Sequence, residues 1–301
     1  MKHSIPILSL VALSVSLVAC MAGGEDPTEL DPGEIADIDS VSQEVAYNLD
    51  SGLGSPAVSS GTCGAYNEYT PSCASSDASD HSISATAASA LKLWLRTDVG
   101  VTAPGGKVSG WTDQSGNGNN GFMTTASRQP SLIAGALNGK PVIRFYGAQS
   151  ILLTSLLQPT TFTVFVVGKN SKTSESYSMI LGPGGSSPNN QMRWENGSQA
   201  LFVGLGNNMP IVTTTIGNTR VYHALSARYN GSTMSVYRDG NNVSNHSFTT
   251  SGPWVLAQIG AWFSSYYMVG DLAEILVYDN ALAEGDRSLV NDYLKSKYAL
   301  P

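Results

Sequence analysis

The carboxylates whose close spacing could support acid–base chemistry are Asp271, Glu274 and Asp279. Enzymes that cleave glycosidic bonds with retention need two carboxyl groups ~5 Å apart. Asp271 and Glu274 are an odd number of residues apart, so they face opposite sides of a regular strand, and Asp279 lies about 16 Å beyond Glu274. Unless the strand contains a bulge, no two of these carboxylates can form the pair that a retaining enzyme needs. We predict instead that Glu274 anchors a helix or a neighbouring loop.

Histidine and cysteine chemistry has no matching arrangement in the sequence. The four histidines are His3 at the N-terminus, His81 in a polar stretch, and His223 and His246, each alone in a polar strand pattern. They form no Ser-His-Asp order, and no cysteine stands in an activating context. We therefore predict that the protein is not an enzyme and has no catalytic residues.

Aromatic side chains supply another chemistry, because their faces stack on the C–H patches of sugars while polar groups bond the hydroxyls. The richest stretches are GAWFSSYYMVGD, residues 260–271, and MRWENGS, residues 192–198. Alternatively, some of these rings fill the core, since the five tryptophans of the chain need buried positions. The predicted ligand-binding residues are Arg193, Trp194, Asn196, Trp262, Tyr266 and Tyr267.

A glycine-rich stretch, WTDQSGNGNNGF at residues 111–122, has the spacing G-x-G-x-x-G. A dinucleotide loop needs a buried strand before it and a helix after it, whereas Pro130 would soon end any helix here. Asp113 offers a calcium ion one carboxylate, which is little charge for a tight site. Asn, Gly, Asp and Ser all suit tight turns. The stretch therefore predicts a turn, with Asp113 as the candidate metal ligand and no other cofactor.

The N-terminus has the pattern of an export signal. A short basic start precedes the apolar run Ile5–Val18, which is shorter than the ~20 residues of a membrane-spanning helix. The run ends in LVAC, residues 17–20, which resembles the lipobox of bacterial lipoproteins. This resemblance implies cleavage before Cys20 and lipidation of its side chain, as with palmitate. The alternative is an ordinary secretory signal that is cut near Ala22.

Charge divides the rest of the chain into two parts. Residues 21–90 carry twelve Asp or Glu and no Lys or Arg, whereas residues 91–301 carry eleven acids and fifteen bases. An acidic segment rich in Gly, Pro and Ser is typical of a disordered tether. In an exported chain, Cys63 and Cys73 are expected to form a disulfide. The scattered bases form no basic stripe, so nucleic acid is not an expected partner.

Short apolar runs separated by Gly, Asn, Ser and Pro begin at Leu91 and predict about fourteen strands. Asp239-Gly240 predicts a hairpin turn, and only residues 283–298 have a helical pattern. Since no βαβ alternation is present, the predicted fold is all-β: a two-sheet antiparallel jelly-roll sandwich with a short C-terminal helix. The clearest predicted strands are Leu91–Leu95, Val142–Phe145, Phe162–Gly168, Leu201–Leu205, Val221–Tyr229, Met234–Arg238, Val255–Ile259 and Leu272–Asp279.

Three longer segments are ALKLWLRTDVGVTAPGGKVSGWTDQSGNGNNGF, RQPSLIAGALNGKPVIRFYGAQSILL and VGDLAEILVYDNALAEGDRSLVNDYLKSKYAL. In this order they resemble the laminin-G-like domains of bacterial surface proteins, which belong to the concanavalin A-like lectin and glucanase superfamily. The likeness covers residues 91–300 and implies two curved, packed sheets with a closing helix. Many relatives carry FDG-x-x-D where this chain has FYGAQS. Tyr146, Gln149 and Ser150 thus replace carboxylates that could hold calcium.

Together these patterns predict a lipid-anchored module of the cell envelope that binds a glycan or surface polymer. We expect it at the outer membrane or cell surface of a Gram-negative bacterium, attached to the membrane through lipid only. The alternatives are a structural or adhesion protein that contacts protein partners, and a polysaccharide hydrolase or lyase, because one fold serves all these roles. The predicted segments are a signal peptide at 1–19, an acidic tether at 20–60, a cystine-stapled segment at 61–84 and the sandwich at 85–301.

Overall fold

Strands dominate the computed structural model, which describes residues 46–50, 52, 56–57, 81–172, 177–184, 190–195, 200–204, 212–249, 252–262 and 265–301. The predicted residues Cys20, Cys63, Cys73 and Asn196 lie outside these ranges. The compact unit that contains the described residues is Glu44–Pro301.

The helices are α1 (Ala85–Ala90) and α2 (Glu284–Tyr298). The strands are β1 (Ala46–Asn48), β2 (Pro56–Ala57), β3 (Ser82–Ile83), β4 (Leu91–Arg96), β5 (Val101–Thr102), β6 (Gly110–Trp111), β7 (Gly121–Phe122), β8 (Ser131–Leu137), β9 (Lys140–Tyr146), β10 (Ile151–Leu157), β11 (Phe162–Asn170), β12 (Ser178–Gly182), β13 (Gln191–Glu195), β14 (Ala200–Gly204), β15 (Val212–Thr215), β16 (His223–Tyr229), β17 (Thr233–Arg238), β18 (Asn241–Ser247), β19 (Leu256–Ile259) and β20 (Val269–Tyr278).

Two antiparallel sheets contain most of these strands. The nine-stranded sheet has the order β15-β14-β13-β12-β19-β10-β7-β6-β5. The eight-stranded sheet has the order β18-β17-β16-β11-β20-β9-β8, and β4 pairs with β20 as its eighth strand. Together with the C-terminal helix α2, this architecture confirms the predicted fold class of a two-sheet antiparallel sandwich.

The inner core lies between the two sheets and takes alternate side chains from both. On β11, Val164 and Val166 point into the inner core, whereas Phe165 and Val167 point to the opposite face of the sheet. Because β11 is buried on both faces, its sequence is a continuous apolar run rather than an alternating one. The largest rings of the inner core are Trp111, Phe145, Phe162, Trp194, Tyr229 and Trp254.

The outer core lies between α2 and the eight-stranded sheet. Tyr293, Leu294 and Tyr298 of α2 are buried in it together with strand residues such as Phe165 and Leu276. Acidic residues in the first turn of α2 and lysines in its last turn suit the helix dipole. The predicted C-terminal helix is thus confirmed to within one residue. Across the described ranges, no helix combines the length and the apolar character that crossing a membrane requires.

Residues before β4 add a small layer to the outer core. Strands β1 to β3 form a three-stranded sheet, and Leu49 and Ile83 are buried in the outer core. Ser84 caps α1, a helix that the sequence pattern did not predict, and donates from its N–H and hydroxyl to Asp286 of α2 at 2.8 and 2.9 Å. These contacts lie within the segments predicted as tether and staple. The predicted start of the sandwich at residue 85 stays a prediction.

Candidate ligand-binding site

Tyr177, Trp262 and Tyr266 form an exposed group beside the nine-stranded sheet, which we call the aromatic cluster. Trp262 and Tyr266 are stacked, with ring centroids 5.2 Å apart and an interplanar angle of 28°. Tyr177 meets Tyr266 at 5.4 Å and 52°. Tyr177 and Tyr266 are 39% and 40% exposed, and Trp262 is half-buried. Mutual packing fixes these rings before any ligand arrives, which reduces the entropy cost of binding.

A charged pair on β13 extends the aromatic cluster. Met192 and Trp194 point into the inner core, so Arg193 and Glu195 lie on the outer face of the nine-stranded sheet. The guanidinium carbon of Arg193 is 3.9 Å from the centroid of the Tyr177 ring. Arg193 Nη2 donates a 2.6 Å hydrogen bond to Glu195 Oε1. The side chain of Arg193 is 8% exposed and that of Glu195 is 22% exposed. Ring faces and a partly exposed carboxylate acceptor therefore meet at one place, as a site for a polar ring-shaped ligand requires.

A tight hairpin positions two of the three rings. The backbone groups of Trp262 and Ser265 exchange hydrogen bonds of 3.1 and 3.0 Å, and the Met268 N–H donates to the Gly260 carbonyl at 2.8 Å. Tyr266 has a φ of 51°, a left-handed conformation that costs a bulky residue about 1–3 kcal/mol. Its carbonyl accepts a 3.1 Å bond from the Met179 N–H of β12. Backbone strain of this kind, held by surrounding contacts, is typical of functional sites.

Gly182 and Gly260 let the hairpin lie against the sandwich. A Cβ atom on Gly182 would come within 2.7 Å of the Ala261 carbonyl oxygen. Gly260 has a φ of +80°, and a Cβ atom there would collide with the ring of Phe145. Any side chain at either position would therefore move the hairpin that holds Trp262.

The structure brings together part of the predicted set of ligand-binding residues. Arg193, Trp262 and Tyr266 meet at the aromatic cluster, and Tyr267 is half-buried in the adjacent turn. Trp194 is 1% exposed inside the inner core. Its ring therefore offers no face to a ligand, and the alternative that it fills the core holds, because the alternation of β13 turns it inward.

Tyr177 belongs to the aromatic cluster but not to the predicted set. It stands alone in a serine-rich stretch, so no local aromatic cluster marks it. The pairing of β12 with β13, in which Met179 lies opposite Arg193, brings Tyr177 to the guanidinium. The available sequence signal is weak: one aromatic residue in a polar stretch directly before an apolar run.

Asp113 organises the glycine-rich turn. Its carboxylate accepts bonds of 2.8–2.9 Å from the backbone N–H groups of Trp94, Ser115 and Asn119 and from the Ser115 hydroxyl. These donors direct positive hydrogens at the carboxylate, an environment that opposes a neighbouring cation. The predicted turn is confirmed, and these contacts do not fit Asp113 as a calcium ligand. No group of three or more His, Cys, Asp or Glu in the described ranges is placed to hold a metal.

A β-bulge in β20 changes the expected orientation of Asp271 and Glu274. Ala273 has no partner on β11, because the residues on either side of it pair with consecutive β11 residues. Leu272 points into the inner core while Ala273 lies in the outer core. The extra residue shifts the alternation by one position. The prediction that the two carboxylates face opposite sides is therefore wrong, and both lie on the outer face of the eight-stranded sheet.

Glu274 anchors α2, as the sequence predicts. It is fully buried, and its Oε1 accepts from Trp94 Nε1 at 2.6 Å and from the Tyr293 hydroxyl at 2.9 Å. Its Oε2 accepts from Lys297 Nζ at 2.6 Å and from the Tyr298 hydroxyl at 2.7 Å. Burial, and then the Glu274 charge, raise the pKa of both tyrosines, which keeps them protonated donors. With four donors, the carboxylate has no lone pair left for catalysis.

His223 is paired within the fold. Its Nδ1 lies 2.7 Å from Asp239 Oδ2 and its Nε2 lies 3.0 Å from the Asn218 carbonyl oxygen. Burial acts to lower the pKa of His223, but the hydrogen bonds to Asp239 and to the Asn218 carbonyl outweigh it and raise this pKa above 6.5. Because both ring nitrogens are engaged inside the protein, His223 is not placed to act on an external ligand.

Comparisons with known proteins found likenesses among solved structures only. No family model and no curated protein matches the sequence. The solved binding domain of Paraclostridial Mosquitocidal Protein 1 is similar, at 12% identity and a TM-score of 0.51, over 69% of this chain and 53% of that chain. Trypanosoma rangeli sialidase is similar at 13% identity and a TM-score of 0.49, over 79% of this chain and 36% of that chain. A third similar structure is domain 4 of AbnA, a GH43 extracellular arabinanase from Geobacillus stearothermophilus, solved in complex with arabinotriose. The identity is 15% and the TM-score 0.48, over 66% of this chain and 96% of that chain.

These likenesses concern architecture. The chain spans 32% of the length of the first sialidase chain that it matches, and the identities are low in all three cases. What the fold and the contacts establish together is an antiparallel β-sandwich that displays an aromatic and charged cluster beside its nine-stranded sheet.

Proposed function

We propose that this protein is a non-catalytic, lipid-anchored module of the cell envelope, related to laminin-G-like domains, that binds a glycan. The observation that carries the proposal is the aromatic cluster, whose rings are held in place before a ligand binds, with the Arg193–Glu195 pair beside it. Tyr177 and Tyr266 provide ring faces for the C–H patches of a sugar. Glu195 can accept from a sugar hydroxyl, while the largely buried Arg193 holds the Glu195 carboxylate and the Tyr177 ring in place.

The shape of the site favours weak binding of single sugars. A shallow aromatic surface reaches affinities near millimolar, about -4 kcal/mol. Many copies anchored on one surface would convert this into firm attachment, since each later contact forms at high effective concentration. A lipid-anchored arrangement therefore suits a site of this kind.

The contacts of the carboxylates support binding without catalysis. Asp271 and Glu274 are fully buried, and Asp279 is ion-paired with Lys92 at 3.2 Å. Within the described residues, the contacts of the aromatic cluster include one carboxylate, Glu195. Most glycoside hydrolases that act by retention or inversion use two.

The glycan proposal is tested by presenting the full chain multivalently on a glycan array, with and without calcium. The test variants are Trp262→Ala and Tyr266→Ala. The control is Leu156→Ala, which removes an exposed apolar side chain (51% exposed) from β10, outside the aromatic cluster. We expect binding to at least one neutral glycan that weakens about tenfold in both test variants, equivalent to ~1.4 kcal/mol, and stays unchanged in the control.

Three results would contradict this function. The first is no glycan binding by the multivalent wild type. The second is an equal loss of glycan binding in Leu156→Ala. The third is release of reducing ends from a polysaccharide by the wild-type protein, which would place the protein among the enzymes.

The anchor is tested by metabolic labelling with a palmitate analogue in a bacterial host. We expect the wild type to be labelled and Cys20→Ala to lose the label, because lipidation requires the thiol of the lipobox cysteine. A mature protein that is secreted freely and carries no label would contradict the anchor while leaving the glycan site untouched.

A further inference from the structure

A second charged and aromatic surface lies on the outer face of the eight-stranded sheet. Backbone pairing sets Lys169 beside Asp271 and Asp271 beside Arg144. Tyr222, directly before β16, continues this row, and Tyr146 lies at the end of β9. We call these five residues the Arg144 patch. None of them belongs to the aromatic cluster, which lies beside the other sheet.

Asp271 orients the polar members of the Arg144 patch. Its side chain is 1% exposed and accepts from Arg144 Nε at 2.6 Å and from Arg144 Nη2 at 2.9 Å. The Tyr222 hydroxyl donates to the same carboxylate at 2.6 Å. Burial acts to raise the pKa of Asp271, but the bonds from Arg144 and Tyr222 outweigh it and hold this pKa below its ordinary value. Asp271 therefore stays ionised and fixes the plane of the guanidinium.

Positive charge remains available at the surface of the patch. The side chains of Arg144 and Lys169 are 34% and 25% exposed, and two cations against one carboxylate leave a charge of +1. Lys169 Nζ is 3.5 Å from Asp271 and 4.6 Å from the centroid of the Tyr222 ring. Nε and Nη2 of Arg144 face Asp271, so the edge of the guanidinium that carries Nη1 points away from this carboxylate.

Tyr146 adds an exposed ring on the same face as Arg144. Ile143 and Phe145 point into the inner core, so Arg144 and Tyr146 both point outward. Tyr146 is 56% exposed. The side chain of Gln149 accepts from the Tyr146 N–H at 2.7 Å, which fixes the turn that follows. Two residues along a strand are about 7 Å apart, a spacing that one sugar unit with its substituent can bridge.

We propose that the Arg144 patch binds the carboxylate-bearing sugars of an acidic polysaccharide. The Nη1 edge of Arg144 donates to the sugar carboxylate, and Lys169 adds a second cation. The Tyr146 ring stacks on the C–H face of the sugar. The net charge of +1 matches one monoanionic group. The two proposed sites share no residue, so variants of each site can be tested separately.

The test is calorimetric titration of the full chain with oligogalacturonate. A neutral galacto-oligosaccharide of equal length and dextran sulfate serve as comparison ligands. The test variants are Lys169→Gln, Tyr146→Ala and the double variant Arg144→Gln with Asp271→Asn, which removes both charges together so that neither stays buried alone. The controls are Lys295→Gln, which lowers the net charge equally on α2, and Leu156→Ala, which removes an exposed apolar side chain (51% exposed) from β10.

We expect oligogalacturonate to bind the wild type more tightly than the neutral oligosaccharide does, and less tightly as salt rises. Lys169→Gln and Tyr146→Ala should each weaken binding about fivefold, and the double variant more than tenfold. Both controls should bind like the wild type. Thermal melting shows whether each variant is folded. If the double variant does not fold, the binding of Lys169→Gln and Tyr146→Ala decides the outcome.

The proposal fails if oligogalacturonate does not bind at low salt, or if Lys295→Gln weakens binding as much as Lys169→Gln does. Equally tight binding of dextran sulfate through the same residues would overturn the assignment to carboxylates. Loss of uronate binding in Leu156→Ala equal to that in Tyr146→Ala would overturn the assignment to the Arg144 patch. Failure of neutral-glycan binding alone would leave the Arg144 patch in place.

Discussion

At the scale of single residues, Trp194 and Trp262 have opposite surroundings although both stand in aromatic stretches of the chain. Trp194 is 1% exposed among inner-core side chains, whereas Trp262 stacks on a half-exposed tyrosine. We predict that Trp194→Ala lowers the free energy of unfolding by about 3–5 kcal/mol, because it leaves a cavity in the core. Trp262→Ala should lower the free energy of unfolding by clearly less. Urea denaturation measures both values, and equal losses would show that Trp262 is also a core residue.

His223 gives the fold a pH dependence whose sign follows from its partners. Because hydrogen bonds to Asp239 and the Asn218 carbonyl raise the pKa of His223 in the folded protein above 6.5, the charged ring stabilises the fold. This contribution is complete below about pH 6.5, the unfolded value, and is lost as the pH rises through the folded pKa. Relative to His223→Gln, the wild type should therefore have its largest stability advantage at acidic pH. Melting curves at pH 5.5, 7 and 8.5 test this, and a difference that does not vary with pH would exclude it.

At the scale of elements, the hairpin that holds Trp262 depends on its seat against β12. A Cβ atom on Gly182 would lie 2.7 Å from the Ala261 carbonyl oxygen, and backbone atoms cannot move aside as a flexible side chain can. We predict that Gly182→Ala displaces the hairpin and weakens glycan binding by about tenfold. Gly285→Ala is the control, because nothing lies within 4 Å of the added methyl group. Wild-type binding by folded Gly182→Ala would show that the hairpin position does not determine the site.

The C-terminal helix depends on one buried carboxylate. Glu274 accepts hydrogen bonds from Tyr293, Lys297 and Tyr298 of α2, and the side chain of Lys297 is only 7% exposed. We predict that Glu274→Ala lowers the free energy of unfolding by about 3–5 kcal/mol, because it leaves a buried ammonium without its main partner. Denaturation curves should show this loss. A loss below about 1 kcal/mol, as for a surface ion pair, would mean that Glu274 does not anchor the helix.

At the scale of the whole molecule, the residues before the predicted start of the sandwich contribute to its packing. Leu49 and Ile83 are buried in the outer core, and Ser84 bonds Asp286 of α2. We predict that a fragment of residues 85–301 folds but is about 2–4 kcal/mol less stable than residues 44–301, since each buried aliphatic side chain contributes about 1.5–3 kcal/mol against the cost of ordering the chain.

Limited proteolysis and denaturation of the two fragments check this comparison. Equal stability would mean that the early strands add nothing to the fold. Failure of the shorter fragment to fold would move the boundary of the sandwich towards residue 44. Rapid cleavage between residues 162 and 229 in both fragments would contradict a single sandwich.

Features that depend on neighbours along the chain could be predicted from the sequence alone. All eight of the clearest predicted strands overlap observed strands, and α2 begins within one residue of its predicted start. Asp239 and Gly240 both have the positive φ that their hairpin turn requires. The link from Glu274 to the helix was also accessible, because helix and strand are adjacent in sequence. Side-chain periodicity and turn chemistry are local properties, so a single sequence reveals them.

Which side chains meet depends on contacts between distant parts of the chain. A single unpaired residue, Ala273, turned Asp271 and Glu274 to the same face, and strand pairing brought Tyr177 to Arg193. Strand alternation turned Trp194 inward, but which face of β13 is the inner one depends on the opposing sheet. Register and bulges are set by pairing between strands that are distant in sequence, and a shift of one residue exchanges the two faces of a strand. The positions of the strands could therefore be predicted, whereas the composition of the site could not.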